Sequence, residues 1–389
     1  MTPRQRYLAT LAHQKPDQVP LEMSVRPEVM TRLQKHYKVD TGEEVLKILQ
    51  ADNCRWGSPI VKYADFEKRV NGQRGGRGVI VHDERTFEDA WGVVERAGSD
   101  GKYLEWVDGP LVKTDDLDSF AWPDESCVLD DPTLAGRVAK FKADGYWVIG
   151  GGGVHPFKQS WHMRGFENFL CDYIANPQFV EAMYERFLRF NLAICRKSAA
   201  AGVDMIEYWG DVAMQDRMIV PPEQWRRLDK PMWTRLIRET RLVKPDMKFF
   251  FHSDGDVRPI IGDIIECGFD ILNPIQPECV NPGLIKQQWG DKVTLDGGGS
   301  VQRTLPRGTV ADVRREVDFL MTTCAYNGGF ILRPSNVSPY DTPVENVVAF
   351  YEMARDYDLS KLQGPPAHIP DPPPCMAIDT FGDTREQLD

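Results

Sequence analysis

From residue 146 onward, short apolar runs rich in β-branched and aromatic residues alternate with longer stretches of helical period. The runs are YWVIGG (146–151), DMIEYW (204–209), KFFFHS (248–253), FDILNP (269–274), KVTLDG (292–297) and GFILRP (329–334). Amphipathic stretches between them predict helices over 161–175, 177–200, 222–243, 257–267, 282–289 and 309–324. A last helix, 343–356, is expected to open with Thr342 as N-cap and Pro343 in the first helical position. Upstream, VPLEMSV (19–25) before a helix at 27–37, and NCRWGSPI (53–60) after a helix at 41–51, add two strands. Eight βα units predict an α/β fold, a closed (β/α)8 TIM barrel; a doubly wound open sheet is the alternative.

The stretch 62–108 breaks the rhythm with glycines (NGQRGGRG) and short alternating runs such as GVIVHD, and reads as a β-rich insertion covering one end of the barrel. The tail, 364–389, carries six prolines and no helical period. It is expected to be an extended arm or disordered, which leaves a homodimer open. The chain therefore divides into one barrel domain, 1–363, and this tail.

Composition narrows the class. Of 389 residues, 42% are hydrophobic and 27% charged, with a net charge of −11, the balance of a globular chain. No run approaches the roughly 18 apolar residues of a membrane span, and the first twenty residues lack a signal peptide's apolar core, so a cytoplasmic protein is expected. With 47 Lys+Arg against 58 Asp+Glu, general nucleic-acid binding is not expected. Eight cysteines with no C-x-x-C pair predict reduced, mostly buried thiols.

Barrel chemistry gathers at the carboxyl ends of the strands. Those ends are polar here: Glu22 and Arg26; Arg55; Gly150 to Gly153 and His155; Glu207, Asp211 and Gln215; His252, Asp254 and Asp256; Asn273 and Gln276; Asp296; Arg333, Ser335 and Asn336. Burying so many carboxylates and amides unpaired would cost about 1–3 kcal/mol or more apiece, so they imply a solvated, substrate-facing mouth. The glycine runs 150–153 and 297–299 lack the continuation of a nucleotide loop and are expected to let backbone approach a large ligand.

Three segments, AAGVDMIEYWGDVAMQ, KFFFHSDGDVRPIIGDIIECGFDILNPIQ and GFILRPSNVSPYDTPVENVVAFYEMA, resemble the uroporphyrinogen decarboxylase superfamily over about residues 140 to 356. That superfamily also holds methyltransferases that pass methyl groups between corrinoid proteins, thiols and methylated substrates. The resemblance implies the same barrel and the same mouth. Its decarboxylases grip substrate carboxylates with an Arg-rich N-terminal segment; the matching EMSVRPEVMTRL offers Arg26 without a neighbouring arginine. Its methyltransferases hold zinc with His-x-Cys and a later Cys, where this chain has His252-Ser253-Asp254 and Pro334-Ser335-Asn336.

What remains is an oxygen- and nitrogen-rich site. His252 and Asp254, two apart on extended chain and so facing the same side, could hold Zn²⁺ or another divalent ion, with Glu207 and Asp211 nearby; a metal-free hydrogen bond is the alternative. Asp211 and Gln215, one helical turn apart, could bind substrate or handle protons, or cap a helix. Catalytic roles are expected for Asp211, His252 and Glu207. Substrate contacts are expected from Arg26, Trp209, Gln215, Asn273, Gln276, Arg333 and Asn336, where Arg333 could instead bridge Asp296 or Glu22. Three functions follow: a methyltransferase working with a small-molecule substrate and a corrinoid on a partner protein, a decarboxylase of a porphyrinogen or smaller acid, or a non-catalytic corrinoid-binding barrel.

Overall fold

The computed structural model describes residues 1–376 apart from 75, 76, 100 and 102. Its first strand, β1 (Arg55–Trp56), begins the barrel, and an antiparallel sheet follows as an insertion: β2 (Gly72–Arg74), β3 (Arg77–Val81), β4 (Thr86–Glu88), β5 (Val94–Ala97) and β6 (Leu104–Asp108). The barrel resumes with β7 (Val148–Gly151), β8 (Met205–Trp209), β9 (Lys248–His252), β10 (Ile271–Asn273), β11 (Thr294–Gly299) and β12 (Phe330–Pro334). These pair in parallel in the order β1-β7-β8-β9-β10-β11-β12, with helices between them.

Segment 19–25, expected as a full strand, is instead an extended stave held by single bridges. Leu21 bridges Leu332 and Val25 bridges Ser338, both in the parallel sense. On its other side Asp52 N–H donates to Leu21 O at 2.7 Å, and the Asn53 side chain pairs with both backbone groups of Met23. Pro20 has no N–H to give a ladder, so side chains of 52 and 53 replace part of it. This stave lies between β12 and β1 and closes the ring as its eighth member.

Period-two alternation builds the interior in layers. Tyr7, Trp147, Met205, Phe250, Ile271 and Ile331 form a buried apolar floor. Two residues further along the same strands the same face carries Glu207, His252, Asn273 and Arg333. The intervening residues, including Ile206, Tyr208, Phe249, Phe251 and Leu272, join the larger core beneath the helices.

The floor has a contributor that the sequence pattern did not suggest. Helix Pro3–Leu11, fixed by a Thr2/Gln5 capping box, inserts Tyr7 against Trp147 with ring centroids 5.4 Å apart. Elsewhere the helices fall close to expectation. The predicted 161–175 segment is broken at Gly165, which has φ 83 and separates Pro156–Arg164 from Phe166–Ala175. The last helix is Val344–Arg355 with Pro343 itself at the N-cap position; Thr342 is buried and caps nothing. In the tail, residues 364–376 lie on this chain: Ile369 packs near Gly283 and Met376 is fully buried, while 377–389 lie outside the described residues. No helix among the described residues is long and apolar enough to cross a membrane.

Candidate active site

Strand ends β8 and β9 bring Asp211, His252 and Asp254 together, with one ligand atom from each within 4.8 Å of the others. His252 Nε2 lies 3.6 Å from Asp211 Oδ1 and 3.8 Å from Asp254 Oδ1. The opposite ring nitrogen donates to Asn273 Oδ1 at 2.6 Å, and Asn273 Nδ2 donates to Asp296 Oδ1 at 2.9 Å. Arg333 Nε in turn meets Asp296 Oδ1 at 3.1 Å. Since Asp296 accepts from the amide nitrogen, the amide oxygen must face the imidazole, which puts the proton on Nδ1 and the lone pair on Nε2. Burial lowers the His252 pKa to about 4 against the opposing pull of Asp211, so the ring is neutral at pH 7.

A neutral imidazole lone pair thus faces two carboxylates. Three Lewis bases converging without a cation repel one another, and Asp254 registers this: burial first, then Asp211, raises its pKa to about 7. A hard or borderline divalent ion is the cation such a nitrogen-and-oxygen set fits, and the Asn273–Asp296–Arg333 chain behind His252 is the outer support a metal-bound histidine uses. Asn336 Nδ2 donates to Asp254 Oδ2 at 2.7 Å and orients it, while Asp211 Oδ1 accepts from Asp254 N–H at 2.9 Å.

One cavity adjoins this trio and a second lies behind Trp209. The outer one, about 260 Å³, lies at the mouth and is lined by Arg26, Asp254, Gln276, Asn336 and, from the insertion, Tyr103. The inner one, about 200 Å³, lies in the barrel lumen among Tyr7, Glu22, Cys54, Glu207, Trp209, Asp296 and Arg333. Trp209 belongs to both chemistries: its ring packs 4.3 Å from that of His252, and its Nε1 donates to Glu207 Oε2 at 3.0 Å. Burial raises the Glu207 pKa to about 7, opposed by Arg333.

Several expectations are corrected. Residues 211–215 do not form a helical turn; they enter a tight loop bridged at Ala213 and Met218, and Gln215 donates to Gln302 across the rim instead of joining Asp211. Asn273, expected to touch substrate, is fully buried with both amide atoms engaged, so it positions His252. Of the two readings for Arg333, the bridge to Asp296 is the one present. Glu207 faces the lumen and is not a member of the trio. Arg55 pairs with Glu43 and stacks on Tyr146. The glycine runs serve packing: a Cβ on Gly152 would lie 2.1 Å from the Tyr208 ring, and one on Gly298 would lie 2.9 Å from Leu320. Among the cysteines only Cys195, Cys267 and Cys324 are buried outright, and Cys171 is exposed.

Tyr7 and Cys54 were missed. Tyr7 O–H and the Cys54 thiol both donate to Glu22 Oε1, the thiol at 2.8 Å. Burial, and then Glu22, hold the Cys54 thiol well above its usual pKa, so it donates to Glu22 as a thiol. The Thr2-Pro3-x-Gln5 cap was the available signal for the helix that delivers Tyr7.

Comparison with known proteins agrees with this architecture. A solved methyltransferase from Methanosarcina mazei superposes with a TM-score of 0.60 at 18% identity, over 91% of this chain and 98% of its own. An L-ribulose 3-epimerase matches at a TM-score of 0.36 and 14% identity, over 58% of this chain and 80% of that one, and adds nothing to the assignment. Curated protein sequences yield no match. The family described as Uroporphyrinogen decarboxylase (URO-D) matches residues 79–357. With a match across most of its length and the same barrel beneath it, the chain belongs to the uroporphyrinogen decarboxylase family.

Proposed function

We propose that the chain is a methyltransferase that moves a methyl group between a methylated small molecule and a corrinoid carried by a partner protein. The observation that carries this reading is the His252 Nε2 lone pair facing Asp211 and Asp254, a donor set suited to a divalent metal such as zinc. Bound there by His252, Asp254 and Asp211, the metal would supply Lewis-acid polarisation of the heteroatom that gives up its methyl group.

The chain's own residues do the rest. Asn273 fixes the His252 tautomer, and Asn336 holds Asp254 in place. Asp211 is the most exposed of the trio and borders water at the mouth, which supplies the proton as the demethylated heteroatom leaves. Arg26 and Gln276 offer polar contacts in the mouth cavity, and Trp209 lines the lumen cavity while packing against His252. Exposed Trp56 at the end of β1, with Met214, Val337 and Tyr340 on strand-end loops, supplies apolar surface suited to a broad, flat partner group such as a corrin. The M. mazei methyltransferase with the same barrel supports this branch of the family. Decarboxylation of a polycarboxylate is disfavoured, because Glu22, Glu207 and Asp296 line the lumen against a single guanidinium.

The test is incubation of zinc-loaded protein with methoxylated and N-methylated compounds plus cob(I)alamin, followed by absorbance. Methylcobalamin is expected to form, and His252→Ala to slow it at least ~100-fold, as loss of a first ligand does. Turnover of uroporphyrinogen, with silence across the methyl donors, would reverse the reading.

A further inference from the structure

The lumen cavity has a charge pattern that the metal trio does not use. Its lining includes three carboxylates, Glu22, Glu207 and Asp296, and one guanidinium, Arg333. Arg333 is committed to Asp296 at 3.1 Å and lies over the rings of Trp209 and Phe250, 5.4 and 5.6 Å from their centroids. Arg333 reaches Glu22 and Glu207 only through longer-range attraction, and no ion pair joins either carboxylate to a cation among the described residues. Each is more than nine-tenths buried. Neither is fully satisfied: the bonds to Glu22 from Tyr7 and Cys54 all converge on Oε1, and the bond to Glu207 from Trp209 falls on Oε2. One oxygen of each carboxylate therefore has no protein partner among the described residues. Tyr7 and Trp209 also line this cavity.

Buried carboxylates are paired, protonated or ligand-bound. Here donors have been arranged to pin the carboxylates while leaving an oxygen of each open to a space of about 200 Å³. An anion entering would add to the excess negative charge. A neutral guest would leave both carboxylates desolvated and unpaired. An ammonium group answers both oxygens at once, with Tyr7 and Trp209 lining the space beside it.

We propose that the lumen cavity binds a small organic ammonium head, with Glu22 and Glu207 as its counter-charges and Trp209 and Tyr7 as its aromatic walls. This rests on the methyl-transfer reading in one respect: the ammonium end seats in the lumen while the methylated heteroatom of the same molecule extends past Trp209 to the His252 trio. The substrate class is thus a methylated small molecule with a separate cationic amine. Its amine takes no part in bond making, so the lumen contributes affinity and placement.

Calorimetric titration of the purified chain tests this with a series of ammonium ions from methylammonium to choline, beside neutral isosteres such as 3,3-dimethylbutanol for choline. At least one ammonium is expected to saturate with a Kd at or below about 1 mM, and its isostere to bind at least ~10-fold more weakly. Glu22→Gln and Glu207→Gln should each weaken the ammonium by about 10-fold, the loss of one charge-assisted contact, while zinc uptake by the trio stays unchanged and reports an intact fold. Equal binding of the neutral isostere, or no saturable ammonium in the series, overturns the proposal. Methylcobalamin formed from neutral methoxylated compounds without any ammonium binding would sink this inference and leave methyl transfer standing. Ammonium binding without methyl transfer from any donor would do the reverse.

Discussion

At the residue scale, His252 gains its character from atoms that never reach the mouth. Its Nδ1–H is held by Asn273, whose orientation is set by Asp296 and Arg333, so four side chains from β9, β10, β11 and β12 decide where one lone pair points. Replacing Asn273 with Ala should lower zinc affinity about 10- to 100-fold, read by equilibrium dialysis, because the ring loses its fixed tautomer while all three ligand groups remain. Asn273→Asp keeps an acceptor for Nδ1–H but turns its second oxygen against Asp296, so it should restore only part of that affinity. Equal loss in both variants would mean that Asn273 acts through packing alone. His252, Asp254 and Asp211 were legible in the sequence because strand ends of a barrel face its mouth. The role of Asn273 was not, since an amide at a strand end looks the same whether it meets substrate or another side chain.

Elements explain how polar groups come to stand on an apolar floor. Along β8, β9, β10 and β12 an apolar residue is followed two positions later by Glu207, His252, Asn273 or Arg333, and parallel register sets Asn273 beside His252 while Glu207 pairs with Phe250 and Arg333 with Gly298. The six downstream strands were readable from alternation of strand and helix. The stave 19–25 was only half readable, because a proline and two side-chain substitutes take the place of a ladder. The helix Pro3–Leu11 was unread: its tertiary value lies in Tyr7, one aromatic on a largely polar helix. Tyr7→Ala should cost about 3–5 kcal/mol in urea unfolding, through loss of a buried ring stacked on Trp147 and a cavity under the lumen. Gly152→Ala is expected to destabilise by about 1–3 kcal/mol, since its methyl would overlap the Tyr208 ring. A neutral result there would return the glycines to the ligand-approach role.

Across the whole molecule, acidity is distributed unevenly, and burial decides its consequences. Glu316 accepts from Ser300 N–H at 2.7 Å beneath the rim, and burial raises its pKa from an ordinary 4.5 to about 8. The folded chain keeps this proton where the unfolded chain gives it up. Its contribution to stability is therefore full below about 4.5 and is lost as pH rises through about 8. Glu316→Gln retains the acceptor without the ionisation, so its Tm relative to the parent should climb between about pH 5 and pH 8 and level off above, by at least ~2 °C in total. A constant difference would show that the folded pKa is ordinary. The buried histidines act oppositely: His252 and His155, held near pH 4 and 3 by burial, favour the fold above their ordinary 6.5 and oppose it as pH falls toward those values. By itself the sequence determined the α/β barrel, its strand order and the polar mouth, because hydrophobic period and strand-end position are local properties of the chain. Tertiary structure alone decided which polar groups meet: that Asn273 serves His252, that Arg333 is spent on Asp296, and that Glu22 and Glu207 face an open lumen. Those outcomes depend on side chains such as His252 and Asn273, 21 positions apart, and Glu22 and Cys54, 32 apart, which only the closed ring brings into contact.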